Sequence, residues 1–172
     1  MSFWRTKLEA ELRPYGKLAV AFSGGCDSTL LAEAARRVLG GGNVLLQLAD
    51  SVLLPRREAE RARTLAAAAG LRLETVPLDP LADEAVRANG PLRCYYCKKV
   101  IFNMIMKAAA EDGYTVLLDG TNASDDAGDR PGMKALQELQ VKSPLREYGL
   151  VKSEIRRLSK EGGLFTWDKP SY

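Results

Sequence analysis

The sequence predicts an α/β protein: an open, doubly wound parallel sheet of five strands in the order 3-2-1-4-5, formed by the whole chain, 1–172. Three observations lead there. Short apolar runs alternate with longer segments of helical spacing, and Gly or Pro marks the changes of period. The run from Asn43 to Ala49 is almost unbroken in apolar character, which suits a parallel strand covered on both faces. A length of 172 residues is enough for one domain with a real core.

Phe3, Trp4, Leu8 and Leu12 recur at near-helical spacing and predict a first amphipathic helix stopped by Pro14 and Gly16. Leu18 to Phe22 is the first strand. After a glycine turn, a helix is expected from about Ser28 to Leu39, closed by Gly40-Gly41-Gly42. Asn43 to Ala49 follows as strand two. Pro55 suits the first helical position of a helix running to Ala69 and closed by Gly70. Its Arg56, Arg57, Arg61 and Arg63 are interleaved with Glu58 and Glu60, the pattern of a solvated face rather than a nucleic-acid patch. Leu71 to Leu78 reads as strand three, Asp79-Pro80 as the start of a short helix ending near Gly90-Pro91, and Cys94 to Asp112 as a longer helix. Tyr114 to Leu118 is strand four, and Val141 to Pro144 a short fifth.

Composition narrows the chemistry. A net charge of +3 with no long Lys/Arg run argues against a nucleic-acid partner. Every apolar stretch is shorter than a membrane span and the N-terminus has no signal pattern, so no membrane partner is expected and the cytoplasm is the expected compartment. Three cysteines make no disulfide framework of the secreted kind. With no histidine at all, Ser-His and Cys-His dyads, His bases and His metal ligands are excluded. Carboxylates, Lys/Arg, thiols, backbone N–H groups or bound metal must carry any catalysis.

Ser23-Gly24-Gly25-Cys26-Asp27-Ser28-Thr29 lies between the first strand and its helix. A helix start presents unpaired N–H groups and the positive end of the dipole, so phosphate oxygens find donors and favourable charge there. Gly24 and Gly25 allow close backbone approach, Ser23 and Ser28 add hydroxyls, and Asp27 offers a carboxylate for a magnesium ion bridging phosphates. The simpler reading is a tight turn with Asp27 or Ser28 as helix N-cap. It is not a Walker A loop, because no Lys precedes the Ser.

A second polar loop, Asp119-Gly120-Thr121-Asn122-Ala123-Ser124-Asp125-Asp126, directly follows strand four. In open α/β sheets, ligands sit beyond the carboxyl ends of the strands where strand order reverses. If strands one and four are neighbours, this loop faces the first one: Gly120 permits close approach, Thr121 and Asn122 bond phosphate or nucleotide, and Asp125 or Asp126 joins Asp27 around magnesium. A plain Asx-rich solvent loop has the same composition. Cys94-Tyr95-Tyr96-Cys97-Lys98-Lys99 admits three readings: half a metal or cluster site, a redox dithiol, or two buried small side chains. Lys98 and Lys99 either lower a thiol pKa, meet an anionic substrate, or form a solvated helix turn.

The Ser23 to Ser28 hexad resembles the signature of the PP-loop ATP pyrophosphatases, of adenine nucleotide alpha-hydrolase-like fold, which split ATP to AMP and pyrophosphate while adenylating a substrate. The fourth position varies in that family, so the resemblance gives Cys26 no role. A Gly-Thr segment like that at Gly120-Thr121 is common there. Asp50-Ser51 stands where relatives hold the adenosine end through the backbone, which makes Ser51 a nucleotide-binding candidate.

Asn89-Gly90-Pro91, Arg93 to Lys98, Asp119 to Pro131, Lys142-Ser143-Pro144-Leu145 and Trp167-Asp168-Lys169-Pro170-Ser171 together resemble one branch, the ATP-dependent sacrificial sulfur transferases of nickel-pincer cofactor synthesis. The resemblance implies ATP and Mg2+ as cofactors, an anionic, carboxylate-bearing pyridinium substrate and a homo-oligomer. It also implies adenylation of a carboxylate followed by sulfur transfer, with Asp27, Cys94, Cys97 and Lys98 in catalytic positions. Some members use three cysteines to hold a [4Fe-4S] cluster, two of them from the Cys-x-x-Cys. The third is expected just beyond Tyr172, and a second, smaller C-terminal domain is expected to complete the active site.

Overall fold

The computed structural model describes residues 3–22, 25–50, 54–79, 84–88, 90, 93–122 and 130–161. The central strand is β1, Leu18–Ala21, flanked on one side by β2, Val44–Asp50, and beyond it β3, Arg72–Pro77. On its other side lies β4, Leu117–Leu118. The order is β3-β2-β1-β4 and every pairing is parallel, with Val20 opposite Leu46 in β2 and Leu118 in β4.

The expected fifth strand is corrected: among the described residues the sheet has four strands. Val141 to Pro144 contributes a single parallel bridge, Leu118 with Lys142. Lys142 N donates to Leu117 O at 3.1 Å and Asp119 N to Lys142 O at 2.9 Å. The ladder has no room to grow, because Gln140 turns the chain with φ 61° just before it and Pro144 opens a helix just after.

Strand alternation divides the core between two layers. Leu18, Val20, Val44, Leu46 and Leu48 pack with α1, Phe3–Leu12, α2, Cys26–Leu39, and α3, Arg56–Ala68. Ala19, Leu45 and Leu117 point the other way, against Ile105 and Ala109 of α5, Arg93–Glu111, and Leu136 of α6, Arg130–Glu138. Because both faces are covered, β2 reads as a continuous apolar run apart from Gln47 and the final Asp50.

Helix ends differ from expectation by small, explicable amounts. Pro55 is the N-cap of α3, not its first helical residue, with extended backbone and its carbonyl accepting from Glu58 N and Ala59 N. The expected short helix is the single turn of α4, Glu84–Arg87. Strand four is shorter than expected because Tyr114 N closes α5 on the carbonyl of Ala109, with Gly113 at φ 86° making the turn. Among the described residues, three helices follow β4 that the sequence reading did not assign: α6, then α7, Pro144–Glu147, and α8, Lys152–Glu161. The last packs on α2 through Ile155 and Leu158, which are buried in the same core as Leu30 and Leu31.

Candidate functional site

Because β1 pairs directly with β4, the chain leaves the carboxyl ends of both strands side by side, at the reversal of strand order. Helix α2 begins two residues earlier than the sequence suggested. Its N-cap is Gly25, in extended conformation with no side-chain cap, and Thr29 N bonds the Gly25 carbonyl at 3.0 Å. Asp27 and Ser28 are therefore first-turn residues, and the reading that makes either of them the N-cap is excluded. Asp27 lies where the helix dipole favours a negative charge.

Gly120 rests directly on this turn. A Cβ built on it would stand 3.0 Å from Ser28 N and 3.2 Å from Asp27 Cβ, so a side chain there would force the neighbouring backbone to give by a few tenths of an ångström. The absence of a side chain at 120 lets the two loops touch without that shift. Asn122, almost wholly buried, continues the contact by donating its Nδ2 to Asp27 Oδ2 at 3.1 Å. The other Asp27 oxygen, Oδ1, accepts from Lys152 Nζ at 2.9 Å. Lys152 is the first residue of α8 and was not singled out in the sequence; at 125 positions from Asp27, no local spacing could have revealed it.

Asp119 is the second residue missed. Buried at the end of β4, it accepts from Thr121 Oγ1 at 2.7 Å, Thr121 N at 3.3 Å and Ser143 Oγ at 2.5 Å. The carboxylate ties the Gly120 loop to the start of α7. Thr121 and Asn122 are both brought to the site, each with a donor directed at a carboxylate: Thr121 steadies Asp119, and Asn122 steadies Asp27.

Between these loops and α5 opens a cavity of about 430 Å³. Asp27, Ser28, Asp119 and Gly120 line its polar side; Phe22, Leu48, Ala49 and Phe102 line its apolar side. Lys98 also faces it, whereas Lys99 turns to α6. There Lys99 Nζ lies 2.9 Å from Glu138, which also accepts from the Tyr95 hydroxyl. These partners hold the Glu138 carboxyl below its ordinary value and push the Lys99 ammonium up.

Cys97 is a half-buried thiol on α5, while Cys26, on α2, is buried with Sγ 3.4 Å from Ser159 Oγ of α8. The Cys94 side chain and residues Ser23, Gly24, Ser51, Asp125 and Asp126 lie outside the described residues. Among the described residues no three His, Cys, Asp or Glu side chains converge as a metal cage. A magnesium ion relying on one or two carboxylates and on phosphate oxygens fits this donor set; Asp27 would be the protein ligand, with Lys152 giving way. No helix among the described residues is long and apolar enough to cross a membrane.

No protein-family model matches the sequence. The chain is 37% identical over 165 residues to the pyridinium-3,5-bisthiocarboxylic acid mononucleotide synthase of Lactiplantibacillus plantarum, covering 96% of this chain and 60% of that protein. It is also 37% identical to an uncharacterised protein of Synechocystis, covering 96% of this chain and 63% of the relative. The chain therefore spans somewhat under two thirds of the length of these relatives. Among solved structures, the NH3-dependent NAD synthetase of Campylobacter jejuni superposes with a TM-score of 0.71 over 100% of this chain and 80% of that one, at 19% identity. The chain thus shares the parallel α/β fold of that synthetase, and along nearly all of its own length it is similar to the synthase.

Proposed function

We propose that this chain is the ATP-binding domain of an adenylating sulfur transferase, acting on a pyridinium dicarboxylate mononucleotide in nickel-pincer cofactor synthesis. The observation that supports it most is the contact of Gly120 with the first turn of α2, which places Asp27, Asn122 and Lys152 around one point beside the cavity. The similarity to the L. plantarum synthase supports the choice of substrate.

In this reading the triphosphate lies across the α2 N-terminus, taking donors from the backbone and from Ser23 and Ser28. Lys152 moves from Asp27 to a phosphate oxygen, and Asp27 would then be the residue that holds magnesium. When bound, the ion neutralises charge that develops on the departing pyrophosphate. A substrate carboxylate oxygen attacks the α-phosphorus; the bond from that phosphorus to the bridging oxygen breaks, and pyrophosphate leaves with the electron pair. Backbone N–H groups already fixed by the fold, joined by Lys152 once it has moved, stabilise the charge as it forms. A cysteine thiolate then attacks the acyl carbon and AMP departs, giving a thioester; removal of that cysteine's α-proton breaks its Cβ–Sγ bond and leaves a thiocarboxylate on the substrate and dehydroalanine in the chain, whereas a cluster held by Cys94, Cys97 and a further cysteine would instead supply the sulfur as sulfide. Cys94 and Cys97 are the candidate thiols, and Lys98, facing the cavity one residue on, is the candidate cation for the substrate's negative charge.

The test uses the full-length protein with magnesium, ATP and the pyridinium dicarboxylate mononucleotide. Release of pyrophosphate and AMP, dependent on that substrate, is the expected result. Release of ADP, or ATP bound and retained without turnover, would overturn the reading.

A further inference from the structure

A second cavity, which the scheme above does not use, lies along the β4 edge of the sheet. Its volume is about 1060 Å³, against about 430 Å³ for the cavity beside Asp27. It follows the chain from Thr115 and Val116, just before β4, to Thr121, just after it, and residues of α6 and α7 form its other wall. Thr121 lines both cavities, so the larger one meets the nucleotide cavity at that residue.

The lining of this cavity is cationic. Lys134, Lys142 and Arg146 stand against a single acid, Glu147, among the described lining residues. Lys134 leans on the Tyr95 ring, 5.9 Å from its centroid, whereas Lys142 and Arg146 are exposed and neither pairs with a described acid. Both are held in place through their backbone. Lys142 N donates to Leu117 O and its carbonyl accepts from Asp119 N, while Arg146 belongs to α7, whose start is tied to Asp119 through Ser143 Oγ. The two cations are therefore anchored to the carboxylate that also steadies Thr121. A guanidinium fork beside an ammonium suits a phosphate, whose two negative charges need more than one partner. The acceptor in the reaction proposed above is a polyanion: one carboxylate must reach the α-phosphorus, and its phosphate monoester lies at the other end of the molecule. Resting on that reading, we infer that this cavity is the acceptor's binding site, in which Lys142 and Arg146 hold the phosphate monoester while the carboxylate reaches past Thr121 towards the nucleotide.

Calorimetry on the full-length protein, saturated with magnesium and a non-hydrolysable ATP analogue, compares the pyridinium dicarboxylate mononucleotide with its dephosphorylated riboside. The native protein is expected to bind the mononucleotide at least about tenfold more tightly. The double variant Lys142→Ala, Arg146→Ala is expected to bring that ratio close to one while its affinity for the ATP analogue stays native. The two ligands share ring and ribose, so a general loss of shape would weaken both and leave the ratio alone. A native ratio near one, or a ratio that the double variant keeps, overturns the inference, and continued binding of the ATP analogue then leaves the nucleotide site standing. Loss of the mononucleotide and the ATP analogue together in the variant would trace the effect to the Asp119 anchor and overturn the inference as well. If the native protein binds no ATP analogue, the proposed function itself falls and takes this inference with it.

Discussion

Asp27 is held by one neutral donor and one cation, Asn122 and Lys152, and the two are not equivalent. Asn122 is almost wholly buried and has the loop's geometry to maintain, whereas the Lys152–Asp27 ion pair is about one-fifth exposed at each end. An ion pair of that exposure contributes about 1 kcal/mol or less to stability. Lys152→Met is therefore expected to lower the thermal midpoint only slightly while weakening MgATP binding about tenfold, as loss of a charge-assisted contact to phosphate would. Calorimetry on the variant decides it, and tighter binding instead would mean that Lys152 only competes with the metal. Gly120 acts differently. No left-handed φ is involved, so the effect of Gly120→Ala comes from contact alone: the new Cβ meets the backbone of Ser28 and Asp27. Backbone cannot swing aside as a flexible side chain does, so the variant is expected to lose about 1–3 kcal/mol and to raise the KM for ATP more than it lowers kcat. Steady-state kinetics beside a denaturation curve would check both halves.

At the scale of elements, α5 and α6 are tied by an exposed polar cluster beside the thiol-bearing end of α5. The Tyr95 hydroxyl and Lys99 ammonium converge on Glu138, and Lys99 and Lys134 also lie 5.0 and 5.9 Å from the Tyr95 ring centroid. The hydrogen bond from Tyr95 is the largest cause of the lowered Glu138 pKa, followed by that from Lys99. A depressed carboxyl contributes stability that is fully present above its unfolded value of 4.5 and is lost as pH falls through the lower folded value. The difference in thermal midpoint between native protein and Glu138→Gln is thus expected to be steady near neutrality and to vanish in that acid window. A gap unchanged into strong acid would show the cluster to be ornamental. Tyr95, Lys99 and Lys134 are spread over two helices joined by a long connection, which is why the sequence reading took Lys98 and Lys99 together. It had no means of seeing that consecutive helix positions point in different directions until the neighbours of α5 were known. The strands and the glycine loop were legible because each is written in adjacent residues: apolar runs, Gly-Gly, Gly-Thr. Helices α6 to α8 were not, since their polar faces carry many charges and only a few apolar positions mark the buried side, as with Ile155 and Leu158 of α8. Asp119 looked like one more turn residue, and only its burial under Thr121 and Ser143 shows otherwise.

For the whole molecule, the sheet acts as a rigid base and the ligand ends of its strands as a seam. β1 and β2 are buried on both faces and hydrogen-bonded on both sides, while the described residues beyond β1 and β4 meet through Gly120, Asn122 and Lys152. Amide exchange should follow that division. Amides of Val20 and Leu46 are expected to exchange only through global opening, and those of Gly25 to Thr29 and Gly120 to Asn122 through cheaper local opening. Magnesium with a non-hydrolysable ATP analogue should then protect both loop segments together, because a triphosphate seated on the α2 N-terminus leans on the Gly120 loop as well. Lys152 should gain protection in the same step, since its side chain moves from one ligand to another within the closed site. Exchange mass spectrometry resolves all three segments in one digest. Protection confined to the α2 turn would separate the loops functionally and leave the Gly120 contact as packing; protection of all three, absent when the ATP analogue is replaced by AMP, would tie the seam to the triphosphate.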